Sequence, residues 1–307
     1  MDLSLTADQV LILDALDSLS KPYASPPLHD TSLALVNAEL DRALAEAGFL
    51  DVAFDPDLGA VTAALVVERL ARLPFAVEAG ATALVRPLFG TDVARPLCLI
   101  EAGRTTRPIR FLTAGARVVV VDTDQVWSFV ASAEQVRAEK TLFAYPMGRL
   151  VVNPATVDKV WHDVSARDVT TRWRVAVAAE TAGLLAAALA SVTAYVTDRQ
   201  QFGRPLATFQ ALRHRLAEAQ VRTNGVYWLA IKAAATLDAG DAALAALHAQ
   251  ESARISVYDF HQFMGAMGMT LEHPLHLWTY RLKALASELG GRGGQGLAAA
   301  HAVWGGD

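Results

Sequence analysis

Two stretches of this chain concentrate side chains able to grip a ligand. The first reads Arg199, Gln200, Gln201, Phe202, Gly203, Arg204, Pro205, with Phe209 and Gln210 close behind. An arginine at the end of a helix offers a planar fork of N–H donors just where glycine and proline turn the chain. That fork suits a pyrophosphate, and Phe202 has a face to lay against a ring system. An ordinary helix terminus has the same appearance, with Arg199 favoured by the helix dipole and Gly203 and Pro205 as punctuation. The second stretch runs from Gln262 through Gly265, Ala266, Gly268 and Glu272 to His273 and Pro274. Its small residues let backbone approach a ligand closely, and the Gln262 amide both donates and accepts towards a sugar or base. Two helices crossing at small residues give the same pattern.

The remaining reactive side chains form no constellation. His273 and His276 are three apart, but Pro274 lies between them and no cysteine or carboxylate set completes a metal site, so no metal is expected. His214 and His261 have no partner in sequence and read as ordinary core or surface histidines. The single cysteine, Cys98, falls on a predicted strand and reads as buried and inert; alone, it forms no internal disulfide. No phosphate-binding glycine loop follows a strand. With 27 basic against 32 acidic residues the net charge is −5 and no concentrated basic patch is evident, which excludes a nucleic-acid binder.

The elements that position these stretches follow from periodicity. At roughly 150 residues per domain, 307 residues leave room for about two domains, and 53% hydrophobic content supplies a large core. Thr6 and Gln9 fit a capping box ahead of Ile12, Leu16 and Leu19. Further helices are expected over Leu33 to Ala47, closed by Gly48, and up to Pro74, with an alanine-rich segment after it. Short β-branched runs then appear at Leu97 to Ile100, Ile109 to Leu112, Val118 to Val121, Val126 to Ala131 and, weakly, Arg149 to Val152. Their spacing favours antiparallel strands. Helical periodicity returns at Asp168 and holds to about Arg199, then over Phe209 to Ala219, Asp241 to Met264 and Leu275 to Leu285, which predicts a four-helix bundle. Gly290 to Gly296 reads as a flexible tail. The expected fold is α+β and mainly α: an N-terminal helical domain over 1–96, a small antiparallel β-domain over 97–165 and a C-terminal helix bundle over 166–307.

The uncharged stretch Thr181 to Thr197 is too rich in alanine, serine and threonine, and too short between Glu180 and Asp198, for the roughly 20 apolar residues of a membrane span. It reads as a buried helix. Met1 to Ser4 lack the basic and apolar regions of a secretory leader, so the chain reads as cytoplasmic.

Taken together, RQQFGRPLATFQALRHRLAEAQ and QFMGAMGMTLEHPLH resemble the acyl-CoA dehydrogenase family, with its Arg-x-x-Phe-Gly, downstream Gln, and Gln-x-x-Gly-Gly-x-Gly block followed by a Glu. The opening helices and Gly48 to Phe54 also look like that family. The resemblance implies a flavoenzyme that uses FAD to introduce a 2,3-double bond into an acyl-CoA, passing electrons to an electron-transfer acceptor. It implies that Arg199, Phe202, Gln210, Gln262, Gly265 and Ala266 touch the nucleotide end of an FAD held mainly by a neighbouring subunit, with Ala266 standing for the second glycine. The family's Thr-Glu-Pro and Gly-Ser-Asp signature survives only as a remnant at Cys98 to Thr106, and Cys98 to Asp168 is too short for the full family barrel.

The family's catalytic glutamate has two places, which fall here near Trp173 and near Glu288. Glu288 stands one residue out of register for a base and reads rather as an exposed glutamate near a helix end, Glu180 as packed or paired within its helix and Glu272 as ordering the turn at Pro274, so the base is unassigned. The resemblance is closest to the short divergent subunits of heterotetrameric acyl-CoA dehydrogenases acting on bulky thioesters such as steroid side chains. The alternatives are a self-sufficient homomeric enzyme with an unusual base and a flavin-free structural subunit.

Overall fold

The computed structural model describes residues 4–27, 32–151 and 157–305. Met1 to Leu3 and Val152, on which the leader and last-strand readings partly rest, lie outside them. Helix α1 (Ala7–Ser20) opens on the expected capping box: Thr6 Oγ1 accepts the Gln9 N–H at 3.2 Å and Gln9 Oε1 accepts the Thr6 N–H at 3.0 Å. Helix α2 (Ala38–Glu46) starts later than the apolar spacing predicts, because the Asn37 carboxamide caps it by accepting the Leu40 N–H at 2.9 Å. Gly48, at φ +75°, ends it. After α3 (Gly59–Ala71) the alanine-rich segment winds as one π-helical turn, Ala81–Val85, before Pro87.

Seven short strands follow: β1 (Leu97–Glu101), β2 (Ile109–Arg110), β3 (Arg117–Val121), β4 (Val126–Val130), β5 (Val136–Glu139), β6 (Met147–Leu150) and β7 (Lys159–Val160). They form two sheets, ordered β1-β3-β4-β7 and β2-β6-β5. All pairings are antiparallel except β1 with β3, which is parallel. The exception has a topological cause. Between β1 and β3 the chain crosses to the other sheet to lay down β2, and a connection of that length, unlike a hairpin, permits parallel return. Apolar residues including Ile100, Val118, Val120 and Phe129 fill a separate small core there.

The long helices are α4 (Ala166–Asp198), α5 (Gln210–Thr236), α6 (Ala239–Met264), α7 (Leu275–Leu285) and α8 (Gly291–Trp304). Helix α4 is central and packs against α3, α5, α6 and α7. It is long and apolar enough to cross a membrane, but 78% of its most apolar window is buried within the protein. Gly183 lets α3 come close: a Cβ there would stand 2.0 Å from the Glu68 carbonyl oxygen.

The tail expected at Gly290 to Gly296 is instead the turn into α8 and its first two turns. Gln295 is buried, accepting from Arg174 Nε at 2.8 Å and donating to the Leu289 carbonyl at 3.1 Å. Gly294 packs so tightly that a Cβ would lie 2.6 Å from that same carbonyl oxygen. These glycines serve close packing rather than mobility.

Candidate functional site

Arg199 caps α4, its N–H bonded to the Tyr195 carbonyl at 2.9 Å. The chain then doubles back in a two-strand hairpin, β8 (Gln200–Gln201) with β9 (Arg204–Pro205). The two tip residues are Phe202 at φ +55° and Gly203 at φ +78°, the conformation that a two-residue hairpin loop of type I′ demands. Glycine takes it freely, whereas for phenylalanine it costs about 1 kcal/mol. Phe202 is nevertheless held there 87% exposed, edge-on to Phe209 at 5.9 Å between centroids. The Arg204 guanidinium lies 4.1 Å over the Phe209 ring. A strained, solvent-facing aromatic is the kind of local cost that persists at functional surfaces. Among the described residues, the Arg199 guanidinium and the Gln210 carboxamide have no hydrogen-bond or ion-pair partner. Arg199 borders a surface groove with Ser191, Tyr195, Asp198 and His273.

The second stretch closes α6. Gly265 sits at φ +57° and ψ −134°, open to glycine and hardly to other residues, and starts a single 3-10 turn, Gly265–Met269. Gly268 packs on the helix end, where a Cβ would come within 2.9 Å of the His261 carbonyl oxygen. His261, read from sequence as ordinary, is the brace of this turn. Its Nδ1 lies 2.6 Å from the Gly268 carbonyl and its Nε2 2.9 Å from Thr279 Oγ1 on α7. Burial first, then Lys283 and His276, push its pKa down against the raising effect of the Gly268 bond. The neutral ring therefore donates Nδ1–H to Gly268. Gln262 and Ala266 are exposed, and the Gln262 amide is free among the described residues, facing a groove of about 510 Å³ with Tyr258, Met269, Tyr280 and Lys283.

The two stretches share one end of the bundle. Arg215, early in α5, pairs with Asp259, late in α6, and His273 packs edge-on to Tyr195 at 5.7 Å. The antiparallel run of α4, α5 and α6 thus gathers what the sequence separates by some sixty positions.

Elsewhere, a cleft of about 290 Å³ opens between β1, β2 and the α4–α7 face. Both places at which the catalytic glutamate was sought line it, and they meet. Trp173 Nε1 donates to Glu288 Oε2 at 2.7 Å, while Arg110 Nε donates to Glu288 Oε1 at 2.6 Å. Arg110 Nη1 also holds both oxygens of Glu180, at 3.0 and 3.2 Å, and the Tyr145 hydroxyl donates to Glu180 Oε1 at 2.6 Å. Burial opposes the Arg110 charge, but Glu180 and Glu288 outweigh it and hold its pKa well above the ordinary value. Burial and then Glu180 push the Tyr145 phenol well up.

Glu288 is therefore neither an exposed surface glutamate nor a free base: both its oxygens are engaged. Sequence reasoning missed Arg110 and Tyr145 because each is a singleton, one on a two-residue strand and the other in the loop before β6. Also lining the cleft, Arg104 pairs with Glu101 at 3.0 Å.

These geometries divide the fit to FAD. A free cationic fork, an exposed ring and a free amide on backbone opened by glycine suit the pyrophosphate and nucleotide end of the cofactor. The cleft does not suit the flavin ring with a thioester. It lies at the lower bound of the roughly 300–1,000 Å³ of ligand pockets, and the Arg110 ion pairs cross its polar side.

Comparison with known proteins follows the same lines. Residues 165–293 match the family model described as acyl-CoA dehydrogenase, C-terminal domain. The acyl-CoA dehydrogenase IpdE2 of Mycolicibacterium smegmatis is 30% identical over 229 residues, covering 69% of this chain and 72% of that one. The acyl-CoA dehydrogenase FadE34 of Mycobacterium tuberculosis is 32% identical over 189 residues, 57% of this chain, which spans only 26% of that longer relative. In fold, the chain is similar to the ChsE4–ChsE5 complex from Mycobacterium tuberculosis, with a TM-score of 0.78, 21% identity and full coverage of both chains. A match across nearly three quarters of IpdE2, with the helix bundle recognised by the family model, makes this chain a member of the acyl-CoA dehydrogenase family, whose enzymes depend on FAD.

Proposed function

We propose that this chain is one subunit of a cytoplasmic heterotetrameric acyl-CoA dehydrogenase that desaturates an acyl-CoA between its α and β carbons. It completes the nucleotide end of an FAD whose ring is cradled by the other kind of subunit. The observation that carries this reading is the contrast within one chain: ligand-gripping groups left free at the bundle end, and a central cleft whose two carboxylates are both engaged by Arg110. In this reading the Arg199 fork pairs with pyrophosphate oxygens, Phe202 covers a ring, and Gln210, Gln262 and the Gly265–Ala266 backbone fix the remainder. The division into parts at 96/97 and 165/166 belongs to the same reading, with the last part forming the contact face.

When bound, FAD supplies hydride acceptance from the β-carbon. This chain's residues bind and orient; none of its carboxylates is assigned the α-proton, because Glu288 and Glu180 are both held by Arg110. The resemblance to divergent subunits of heteromeric enzymes favours a bulky acyl group such as a steroid side chain, and an electron-transfer protein as acceptor.

The test is purification of the chain alone and together with its partner subunit. The expected result is a colourless lone chain and a yellow complex, absorbing near ~450 nm as flavins do, with fewer flavins than subunits. Full flavin occupancy and turnover by the lone homo-oligomer overturns the heteromeric reading; a colourless complex leaves the flavin-free scaffold.

A further inference from the structure

The residue between the helix body and the free Gln262 amide does more than fill space. His261 spans three elements, with its ring on α6, one nitrogen on the Gly265–Met269 turn and the other on α7. We propose that His261 is a positioning residue, which acts through the glycine turn to set Gln262, Gly265 and Ala266 for the nucleotide end of FAD; this rests on the cofactor contacts proposed above.

Gly265 departs from helical φ and ψ, so nothing in the α6 hydrogen-bond ladder fixes the direction of the turn that follows it. Gly268 is pressed against the His261 backbone by the absence of a side chain, and the 2.6 Å bond from His261 Nδ1 to the Gly268 carbonyl ties the far side of the turn to the same residue. The opposite nitrogen is anchored on Thr279, which is fully buried. The ring lies nearly parallel to Tyr280, at 16° and 6.1 Å between centroids, so its plane is set as well. One imidazole thus ties the far end of a five-residue turn to α7, and the turn's outer face, Gly265 and Ala266, is exposed. The groups facing it are Lys283, His276, Tyr280 and Thr279.

The experiment compares wild type, His261→Phe and His261→Asn in the assembled complex, stripped of flavin and titrated with FAD. Phenylalanine retains the ring and loses both hydrogen bonds, and asparagine keeps a donor for the Gly268 carbonyl. The expected result is FAD affinity about tenfold weaker for His261→Phe, as loss of one to two hydrogen bonds implies, with most of the loss recovered by His261→Asn and the thermal midpoint little changed in either. A folded His261→Phe complex with wild-type FAD affinity overturns the proposal, as does equal damage by both variants.

Amide exchange over Met267–Thr270 in the lone chain reads the brace without flavin. Faster exchange in His261→Phe and recovery in His261→Asn support it; unchanged exchange overturns it. If the wild-type complex takes up no FAD, the cofactor-contact reading falls, and with it the role of the turn in binding, while the exchange data still show whether His261 orders it. Should His261→Phe fail to fold, Thr279→Val removes the Nε2 partner, together with that hydroxyl's bond to the Leu275 carbonyl within α7, and is expected to weaken FAD a few-fold.

Discussion

Phe202 is the residue whose behaviour separates stability from function most cleanly. Its left-handed backbone and 87% exposure both count against it in a lone chain. Phe202→Gly should therefore leave the isolated chain as stable or up to about 1 kcal/mol more stable, while the assembled complex loses FAD affinity several-fold. Melting curves and a flavin titration check the two halves, and a destabilised lone chain would mean that the ring is packed in a way the fold does not record. Protonation gives a second residue-scale prediction. Burial, then nearby charge, pushes His261 and His273 below the ordinary imidazole value, and His273 Nδ1 accepts the Leu275 N–H at 3.2 Å, a bond that only the unprotonated nitrogen makes. An unfolded imidazole titrates near ~6.5. Between that value and the lower folded ones the unfolded chain binds more protons, so this contribution to stability is full above ~6.5 and is lost as pH falls through it. Urea unfolding from pH 7.5 to 5.5 should show that decline, with a shallower slope in His273→Gln. Arg199 and Gln262 were legible because helix ends and glycine turns announce themselves locally. Arg110 was not, since its partners stand 70 and 178 positions away and only the fold introduces them.

Between elements, the cleft network is the join that matters. Arg110 on β2, Glu180 on α4 and Glu288 beyond α7 tie the sheets to the bundle. Arg110→Met leaves two largely buried carboxylates without their cation and should cost about 3 kcal/mol in denaturant unfolding of the lone chain. Glu288→Gln should cost much less, because the amide oxygen still accepts from Trp173 or Arg110, and turnover by the complex should be unchanged; a large loss of turnover would restore Glu288 as the base. At the α3–α4 crossing, Gly183→Ala drives a methyl into the Glu68 carbonyl and should destabilise by about 1–3 kcal/mol. The same crossings show why element reading was uneven. Helix α7 was legible at Leu275 to Leu285 because Pro274 precedes a regular apolar stripe. Helix α8 was hidden because four glycines look like disorder when the neighbours that crowd Gly294 are invisible in sequence. The parallel β1–β3 pair was hidden because nothing local reveals that β2 belongs to a different sheet.

The whole molecule keeps the expected sequence of helices, small sheets and helix bundle, and that order was legible because hydrophobic period changes twice along the chain. Helix α4 runs through it as a single stave. From Glu180, in the cleft, to Arg199, at the contact end, it measures about 28 Å at the helical rise. Glu180 and Arg199 therefore share a support without touching. A lineage can silence the chemistry at the middle of such a stave and still preserve the handhold at its tip, so decay and conservation need not compete within one polypeptide.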